Sequence, residues 1–192
     1  LSTLILAEDE GSKLSNLEMC ALVGAVLGAG SDTAVDLHSY LIKNLLQHPK
    51  QYNALMADET LVQGAISETL RYESSGKTGL ARYASEDLEI QGHQIKKGQM
   101  VQLITSTAGM DPLIYHDPRT FDIKRDHDKS ISFGQGPHYC IGVTLVRSQT
   151  EVMLKELFKR FPNLSLGDDV VYDYDHHNAR RMDVMTVKTN IN

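Results

Sequence analysis

An apolar stretch without a charged residue covers residues 19–31 of this chain. Ser15 precedes it and Glu18 follows three positions later, a spacing typical of the capping box that begins a helix. Pro49 ends the helical pattern, because proline breaks a helix when it lies in the interior. The pattern therefore predicts one long helix from about Asn16 to about Gln47.

The two halves of this helix differ in amphipathicity. Residues 19–30 have no polar face, so we expect the first half to be buried on all sides. The second half is amphipathic, with leucines on one face and polar residues on the other. These residues are Leu37, Leu41 and Leu45 against Asp36, Lys43 and Asn44.

Three shorter segments also have helical periodicity. Residues 50–57 and 59–72 predict two helices, and the second has an apolar stripe along one face. Another helix is expected from about Val143 to about Arg160, where Pro162 ends it. Its expected buried positions are Leu145, Met153, Leu154, Leu157 and Phe158.

Alternating patterns indicate a smaller β portion. The expected strands are residues 80–84, 88–90, 100–104 and 184–188. Gln91-Gly92 predicts a hairpin turn between two strands, and residues 111–130, rich in Asp, His and Pro, predict an irregular loop. The expected fold class is mainly α with a small β-sheet region (α+β), in a single partial domain over residues 1–192.

Composition limits the classes of function. The 192 residues are 41% hydrophobic and 23% charged, which is typical of a soluble globular protein. A net charge of −6 without a basic run argues against a nucleic-acid partner. The charge-free stretch is too short and too rich in glycine for a bilayer span, so no membrane partner is expected either.

The two cysteines, Cys20 and Cys140, do not make a disulfide framework, so a reducing, cytoplasmic location is favoured. Cys20 lies in the apolar helical run and is expected to be a small core residue. The adjacent histidines at 176–177 are expected at the surface. The chain starts at Leu1 in what reads as a helix end, which suggests a fragment or a chain that has lost its front portion.

Cys140 lies in a glycine-rich segment just before the helix that begins near Val143. A helix N-terminus favours negative charge, so it stabilises a thiolate, the form that binds a soft or borderline metal. Gly136 and Gly142 allow the backbone to approach a bulky flat ligand, and Phe133 offers an aromatic face. The alternative is a buried, inert cysteine beside a loop.

Phe133, Gly136, Cys140 and Gly142 have the spacing of the haem-binding loop of the cytochrome P450 family, which this segment resembles. The resemblance implies that haem b is the cofactor and that the thiolate of Cys140 is the axial ligand of its iron. It also implies that His138, two residues before the cysteine, is a partner of a haem propionate.

Gly30, Asp32 and Thr33 lie midway along the long helix, where small and hydroxyl residues allow a helix to bend. One interpretation is a helix–helix contact through small residues. The other is a groove for a small ligand with an acid–alcohol pair, which is similar to the oxygen-binding segment of the same family. That resemblance implies that Asp32 and Thr33 are catalytic and that Gly30 helps to bind the cofactor.

Glu68 and Arg71 lie three residues apart on one helix face, and such a pair is usually a solvated surface pair. Their order and spacing resemble the Glu-x-x-Arg helix of the family, which implies a buried ion pair that fixes the loop beneath the haem. Arg82 is either an exposed strand arginine or, by resemblance, a propionate ligand. The chain departs from the family pattern at Ser74-Ser75, Gly109-Met110 and Thr120.

The resemblance, to the soluble bacterial type, runs over nearly the whole chain but implies only the C-terminal, haem-binding half of the fold. It implies a monooxygenase that acts on a small organic substrate, with electrons from a ferredoxin or flavoprotein and with a possible second chain that carries the N-terminal half. An alternative is a truncated, non-catalytic relative that binds a partner chain. A peroxide-using enzyme is a weaker alternative, because Asp32 and Thr33 argue against it.

Overall fold

The computed structural model of the chain describes residues 8–9, 12–76, 79–175 and 179–189. The histidine pair at 176–177 lies outside these ranges. The chain divides into two compact units, Leu1–Val35 and Asp36–Asn192.

The first unit contains a short hairpin and the front of the long helix. Strands β1 (Glu8–Asp9) and β2 (Ser12–Lys13) pair antiparallel, and helix α1 (Asn16–Gln47) follows. The predicted capping box forms, since the Ser15 amide donates to Glu18 Oε2 at 2.9 Å and the Glu18 amide donates to Ser15 Oγ at 3.3 Å. The predicted bounds of α1 are confirmed.

The expectation that residues 19–30 are buried on all sides is wrong. No residue from 16 to 35 is buried, and Leu17 and Leu27 are 80% and 65% exposed, because no described residue packs over these apolar faces. Cys20, expected in a core, is exposed for the same reason. By length and composition α1 could cross a bilayer, a test that core helices of soluble proteins also pass.

The second unit is built on the rest of α1 and three further helices. Helix α2 (Pro49–Ala57) is followed by a 3₁₀ turn (Glu59–Leu61) and helix α3 (Val62–Tyr72), so the single helix predicted over residues 59–72 is two elements. Helix α5 (Val143–Arg160) has the predicted bounds. The buried core consists of Leu37, Leu41, Leu45, Leu55, Val62, Ala65, Ile66, Phe121, Ile123, Leu154, Phe158 and Leu164.

Two expectations about burial in this unit need correction. The polar residues Asp36, Lys43 and Asn44 of α1 are buried. Lys43 Nζ donates to Glu73 and to Tyr172 Oη, and Asp36 lies 4.0 Å from Arg181, whereas the side-chain amide of Asn44 has no hydrogen-bond partner among the described residues. Leu145, expected in the core, is 62% exposed, because it faces away from the packed side of α5.

The β portion consists of antiparallel pairs. Strand β3 (Leu80–Tyr83) pairs with β6 (Met100–Leu103), β4 (Leu88–Ile90) with β5 (His93–Ile95), and β7 (Ser165–Asp173) with β8 (Arg181–Lys188). The predicted turn at Gln91-Gly92 joins β4 and β5 with positive φ angles of 49° and 82°, which the primed hairpin turns require. Strands β5 and β7 were not predicted, because they are polar or contain glycine.

A short helix, α4 (Thr105–Ala108), follows β6. Residues 109–135, all of them described, then form an irregular loop up to a 3₁₀ turn at Gly136–His138, as the sequence predicts for 111–130. This long loop lies against α3 and leads directly into the segment that carries Cys140.

Candidate functional site

The segment around Cys140 folds into a closed turn. The Cys140 amide donates to the Phe133 carbonyl at 2.9 Å, and the Tyr139 amide donates to the Gly136 carbonyl at 3.0 Å. Gly134 and Gly136 have φ angles of 73° and 70°, a left-handed conformation that side chains disfavour. The glycines therefore give this loop a defined shape that holds Phe133 and Cys140 at its two ends.

The thiol of Cys140 is exposed and free of a disulfide, so the expectation of a buried cysteine, which was the alternative, is wrong. Gly142 is the residue that precedes α5, and a Cβ built on it would lie 3.9 Å from the Cys140 sulfur. The sulfur therefore lies close to the N-terminus of an 18-residue helix, whose first amides have no partner within the helix.

The residues around the thiol suit a metal whose other ligands come from a bound macrocycle and not from protein side chains. Among the described residues no group of three or more His, Cys, Asp and Glu side chains could hold a metal ion. A single thiolate can still bind iron when a porphyrin supplies the other nitrogen ligands. Tyr139, Ile141 and Leu145 are 55%, 95% and 62% exposed, and such apolar side chains suit a large flat ligand. The site therefore fits haem.

Arg82 and His138 stay predicted propionate ligands. Arg82 is exposed on β3, and its Nη1 donates to the neighbouring Ala81 carbonyl at 2.9 Å. His138 is exposed in the 3₁₀ turn of the cysteine loop. Within the described ranges neither side chain has an ion-pair partner, so both are available to an anionic group.

Gly30, Asp32 and Thr33 are exposed on α1 in the first unit. Thr33 Oγ1 donates to the Ala29 carbonyl at 2.7 Å, a bond to the preceding helical turn that fixes the hydroxyl rotamer. The hydroxyl oxygen keeps its capacity to accept another hydrogen bond. The catalytic roles of Asp32 and Thr33 stay predictions.

Glu68 and Arg71 form the predicted buried pair on α3. Arg71 Nε donates to Glu68 Oε2 and Arg71 Nη2 donates to Glu68 Oε1, both at 2.7 Å. Arg71 also donates to the carbonyls of Gly109, Pro118 and Thr120, at 2.7, 2.7 and 3.1 Å. The pair therefore holds three points of the long loop that leads to Cys140.

These contacts explain why the departures from the family pattern do not disturb the loop. Arg71 binds the backbone carbonyls of Gly109 and Thr120, so these two contacts use neither side chain. At position 109 glycine is required by packing, because a Cβ there would lie 2.5 Å from the Arg71 carbonyl oxygen.

Two further residues join this cluster, and sequence reasoning did not assign a role to either. Arg125 Nε donates to Glu68 Oε1 at 3.3 Å, and its Nη1 donates to the His116 carbonyl at 2.6 Å. His127 Nε2 lies 3.6 Å from Glu68 Oε2, and both ring nitrogens are buried without a hydrogen-bond partner among the described residues. Burial lowers the pKa of His127. No local sequence motif predicts these contacts, which form across the loop.

Comparisons with known proteins agree with this geometry. The profile described as Cytochrome P450 matches residues 1–180. The chain is 38% identical over 187 residues to the epothilone C/D epoxidase of Sorangium cellulosum, covering 97% of the chain and 44% of that protein. It is 37% identical to cytochrome P450 monooxygenase PikC of Streptomyces venezuelae, covering 86% of the chain and 40% of that protein.

Solved structures show the same fold. The crystal structure of epothilone D-bound cytochrome P450epoK matches with a TM-score of 0.92 and 37% identity, over 100% of this chain and 47% of that one. P450BioI in complex with a fatty-acid-ligated acyl carrier protein matches with a TM-score of 0.85 and 36% identity, over 91% of this chain and 45% of that one. The chain spans less than half the length of each of these relatives.

Proposed function

The chain belongs to the cytochrome P450 family, and from this premise we propose that it is the C-terminal, haem-binding part of a monooxygenase that inserts one oxygen atom from dioxygen into an organic substrate. The observation that carries the proposal is the exposed thiol of Cys140 on a closed loop before α5. Haem b with a cysteine thiolate as axial ligand is the cofactor of this family.

When bound, haem supplies the iron that activates dioxygen, and a thiolate ligand favours cleavage of the O–O bond. Cys140 would hold the iron, and Phe133, Gly136 and Gly142 would shape the loop around the sulfur. Arg82 and His138 would bind the propionates, because a guanidinium fork and an imidazole suit carboxylates.

The residues that would deliver protons lie on α1. Thr33 donates its one hydroxyl proton to the Ala29 carbonyl, so its oxygen would accept a hydrogen bond from a proton-bearing group beside the dioxygen site, and Asp32 would supply the proton. Gly30 leaves the helix surface open beside them, since a Cβ there would meet no atom within 4 Å. Glu68 and Arg71 take no part in proton transfer and hold the loop that carries Cys140.

A ferredoxin or flavoprotein would deliver electrons, as the membership in this family implies. The names of several relatives point to large apolar substrates: epothilone C/D epoxidase, 6-deoxyerythronolide B hydroxylase and a polyketide biosynthesis cytochrome P450. We propose that the substrate of the present protein is also a large apolar molecule. We also propose a cytoplasmic location, as in soluble bacterial enzymes of the family.

A second candidate function is a non-catalytic relative that binds a partner chain. The exposed apolar residues of α1 favour it, because such a surface invites association. A chain carrying the N-terminal half of the fold is the proposed occupant in both cases. The two functions differ in whether the assembled protein holds haem through Cys140.

The reduced protein with carbon monoxide tests the proposal. Thiolate ligation shifts the Soret band to the red, and we expect this band for the wild-type chain with haem. Cys140→Ser should lose it, whereas Cys20→Ser, which alters the other exposed thiol, should keep it. A wild-type chain that binds no haem, or that gives a histidine-type band, favours the non-catalytic function.

A further inference from the structure

Arg147 lies on the first turns of α5, close to Cys140 in sequence, and its guanidinium has three neighbours on other elements. Nη1 donates to Gln63 Oε1 at 2.8 Å, and Nη2 donates to Ser67 Oγ at 3.2 Å. Its Cζ lies 5.4 Å from the centroid of the Phe133 ring. Gln63 and Ser67 both belong to α3, the helix that carries Glu68, so one side chain bridges that helix to the cysteine loop.

The geometry of this bridge requires arginine. A planar fork donates to two acceptors at once and also stacks on an aromatic face, whereas a lysine ammonium has one point of charge on a flexible stem. The distance to Phe133 is within the range of a cation–π interaction. Ser67 is buried and Arg147 is half-buried, so the charge beside the ring is poorly screened by solvent.

Phe133 connects this bridge to the thiol. Its carbonyl accepts the hydrogen bond of the Cys140 amide at 2.9 Å, and its ring lies under the guanidinium. Phe133, Tyr139 and Arg147 also line one cavity of about 310 Å³ beside α3. A displacement of the Phe133 ring would therefore also displace the backbone that hydrogen-bonds to Cys140.

We propose that Arg147 is a positioning residue, which fixes the Phe133 ring against the cysteine loop and keeps a positive charge beside it. The inference rests on the proposed function, because its consequence concerns the haem that Cys140 would hold. Reduction of that haem adds one electron from the redox partner, and a nearby positive charge stabilises the added negative charge. Removal of the guanidinium should therefore lower the midpoint potential.

The first test needs no haem. The chain contains no tryptophan, so Phe133→Trp introduces a single indole at the position in question. We expect that adding Arg147→Lys lowers the fluorescence anisotropy of this indole and increases its quenching by acrylamide. Arg160→Lys, an exposed arginine on the same helix paired with Glu156, is the matched control and should change neither. Equal anisotropy in all three proteins would overturn the positioning role.

The second test keeps Phe133 and uses the haem-loaded chain. Arg147→Met should lower the equilibrium constant for reduction several-fold, where tenfold corresponds to 59 mV for one electron. Arg160→Met should leave it unchanged. In a Phe133→Leu background the effect of Arg147→Met should shrink, because without the ring the guanidinium is no longer held against the cysteine loop. An unchanged potential in Arg147→Met overturns the inference while the thiolate spectrum still supports the proposed function. A wild-type chain without haem overturns the proposed function, and the indole measurement then decides the positioning role.

Discussion

Arg71 and Glu68 meet through two parallel hydrogen bonds of 2.7 Å, and their side chains are only 1% and 0% exposed. Glu68 also accepts from the Asp122 amide at 2.8 Å and from Arg125 Nε at 3.3 Å. The carboxylate is therefore a common acceptor for α3 and for the loop that leads to Cys140. Its charge is compensated only while these donors stay in place.

We expect Glu68→Gln to lower the free energy of unfolding by about 3–5 kcal/mol, because it leaves the Arg71 guanidinium buried without a counter-charge. Urea denaturation followed by circular dichroism measures this loss. Glu156→Gln is the matched control, since it breaks an exposed pair with Arg160 and should cost at most about 1 kcal/mol. Similar losses in the two variants would contradict the structural role of Glu68.

His127 should make the stability depend on pH. Burial holds its pKa below the ordinary value of 6.5; Glu68 and Asp126 favour its charged form, and Arg71 and Arg125 oppose it. The unfolded chain therefore takes up the proton first, and the free energy of unfolding should fall as pH drops below about 6.5. The half-buried His38, whose pKa burial also lowers, adds to this slope.

Urea denaturation between pH 7.5 and pH 5 measures the effect. His127→Gln should flatten the slope, whereas His93→Gln, at an exposed position on β5, should leave it as in the wild type. A wild-type slope in His127→Gln would show that the buried imidazole does not carry the pH dependence.

Thr33→Ala should separate oxygen consumption from product formation in the haem-loaded protein. The Thr33 hydroxyl is fixed by its bond to Ala29, so its loss removes a defined hydrogen-bonding group without disturbing the helix. Dioxygen consumed per product should rise several-fold while the thiolate spectrum stays intact. Ser31→Ala removes a similar bond, to the Leu27 carbonyl at 2.6 Å, and should leave the ratio unchanged. A normal ratio in Thr33→Ala would exclude the proton-delivery role.

Tyr172→Phe should destabilise the contact between α1 and the β7–β8 pair. The Tyr172 hydroxyl accepts from Lys43 Nζ at 2.8 Å and donates to Glu73 Oε1 at 3.2 Å, and the variant should cost about 0.5–1.5 kcal/mol at neutral pH. Burial and the Glu73 charge raise the pKa of Tyr172 to about 12, against 10.0 in an unperturbed tyrosine.

The sign of the alkaline effect follows from this shift. Because the folded state keeps the proton to higher pH, the stability from Tyr172 is fully present below pH 10 and is lost as pH rises toward 12. Urea denaturation between pH 10 and pH 12 should show that the free energy of unfolding falls less steeply with pH in Tyr172→Phe than in the wild type. The exposed Tyr139→Phe should behave as wild type, and identical slopes in all three proteins would contradict the assignment.

The elements with strong local signals were predictable from the sequence. The capping box at Ser15 and Glu18 and the stop at Pro49 fixed the bounds of α1, and Gln91-Gly92 fixed the turn of a hairpin. Strand β7 was not predictable, since Gly167 and three aspartates weaken its pattern and β8 stabilises it through pairing.

Burial was the weakest prediction, because it depends on what lies opposite a residue. The hydropathy of residues 19–30 predicts that they are buried, yet no described residue covers them. Lys43 is buried instead, because its ammonium group donates hydrogen bonds to Glu73 and Tyr172. In the candidate site, the cysteine loop and the Glu68–Arg71 pair followed from short spacings. The contacts of Arg125, His127 and Arg147 join segments far apart in sequence, so no local pattern contains them.

Both sulfhydryl groups of the chain, on Cys20 and Cys140, face the solvent. Peroxide converts such groups to sulfenic acids, which condense with another thiol to give a disulfide. A chain with one exposed thiol can form only a disulfide-linked dimer. A chain with two exposed thiols can bond to two other chains and so form longer oligomers. Samples treated with peroxide in the absence of reductant should therefore form a ladder of covalent oligomers on a non-reducing gel, and Cys20→Ser should limit the products to dimers.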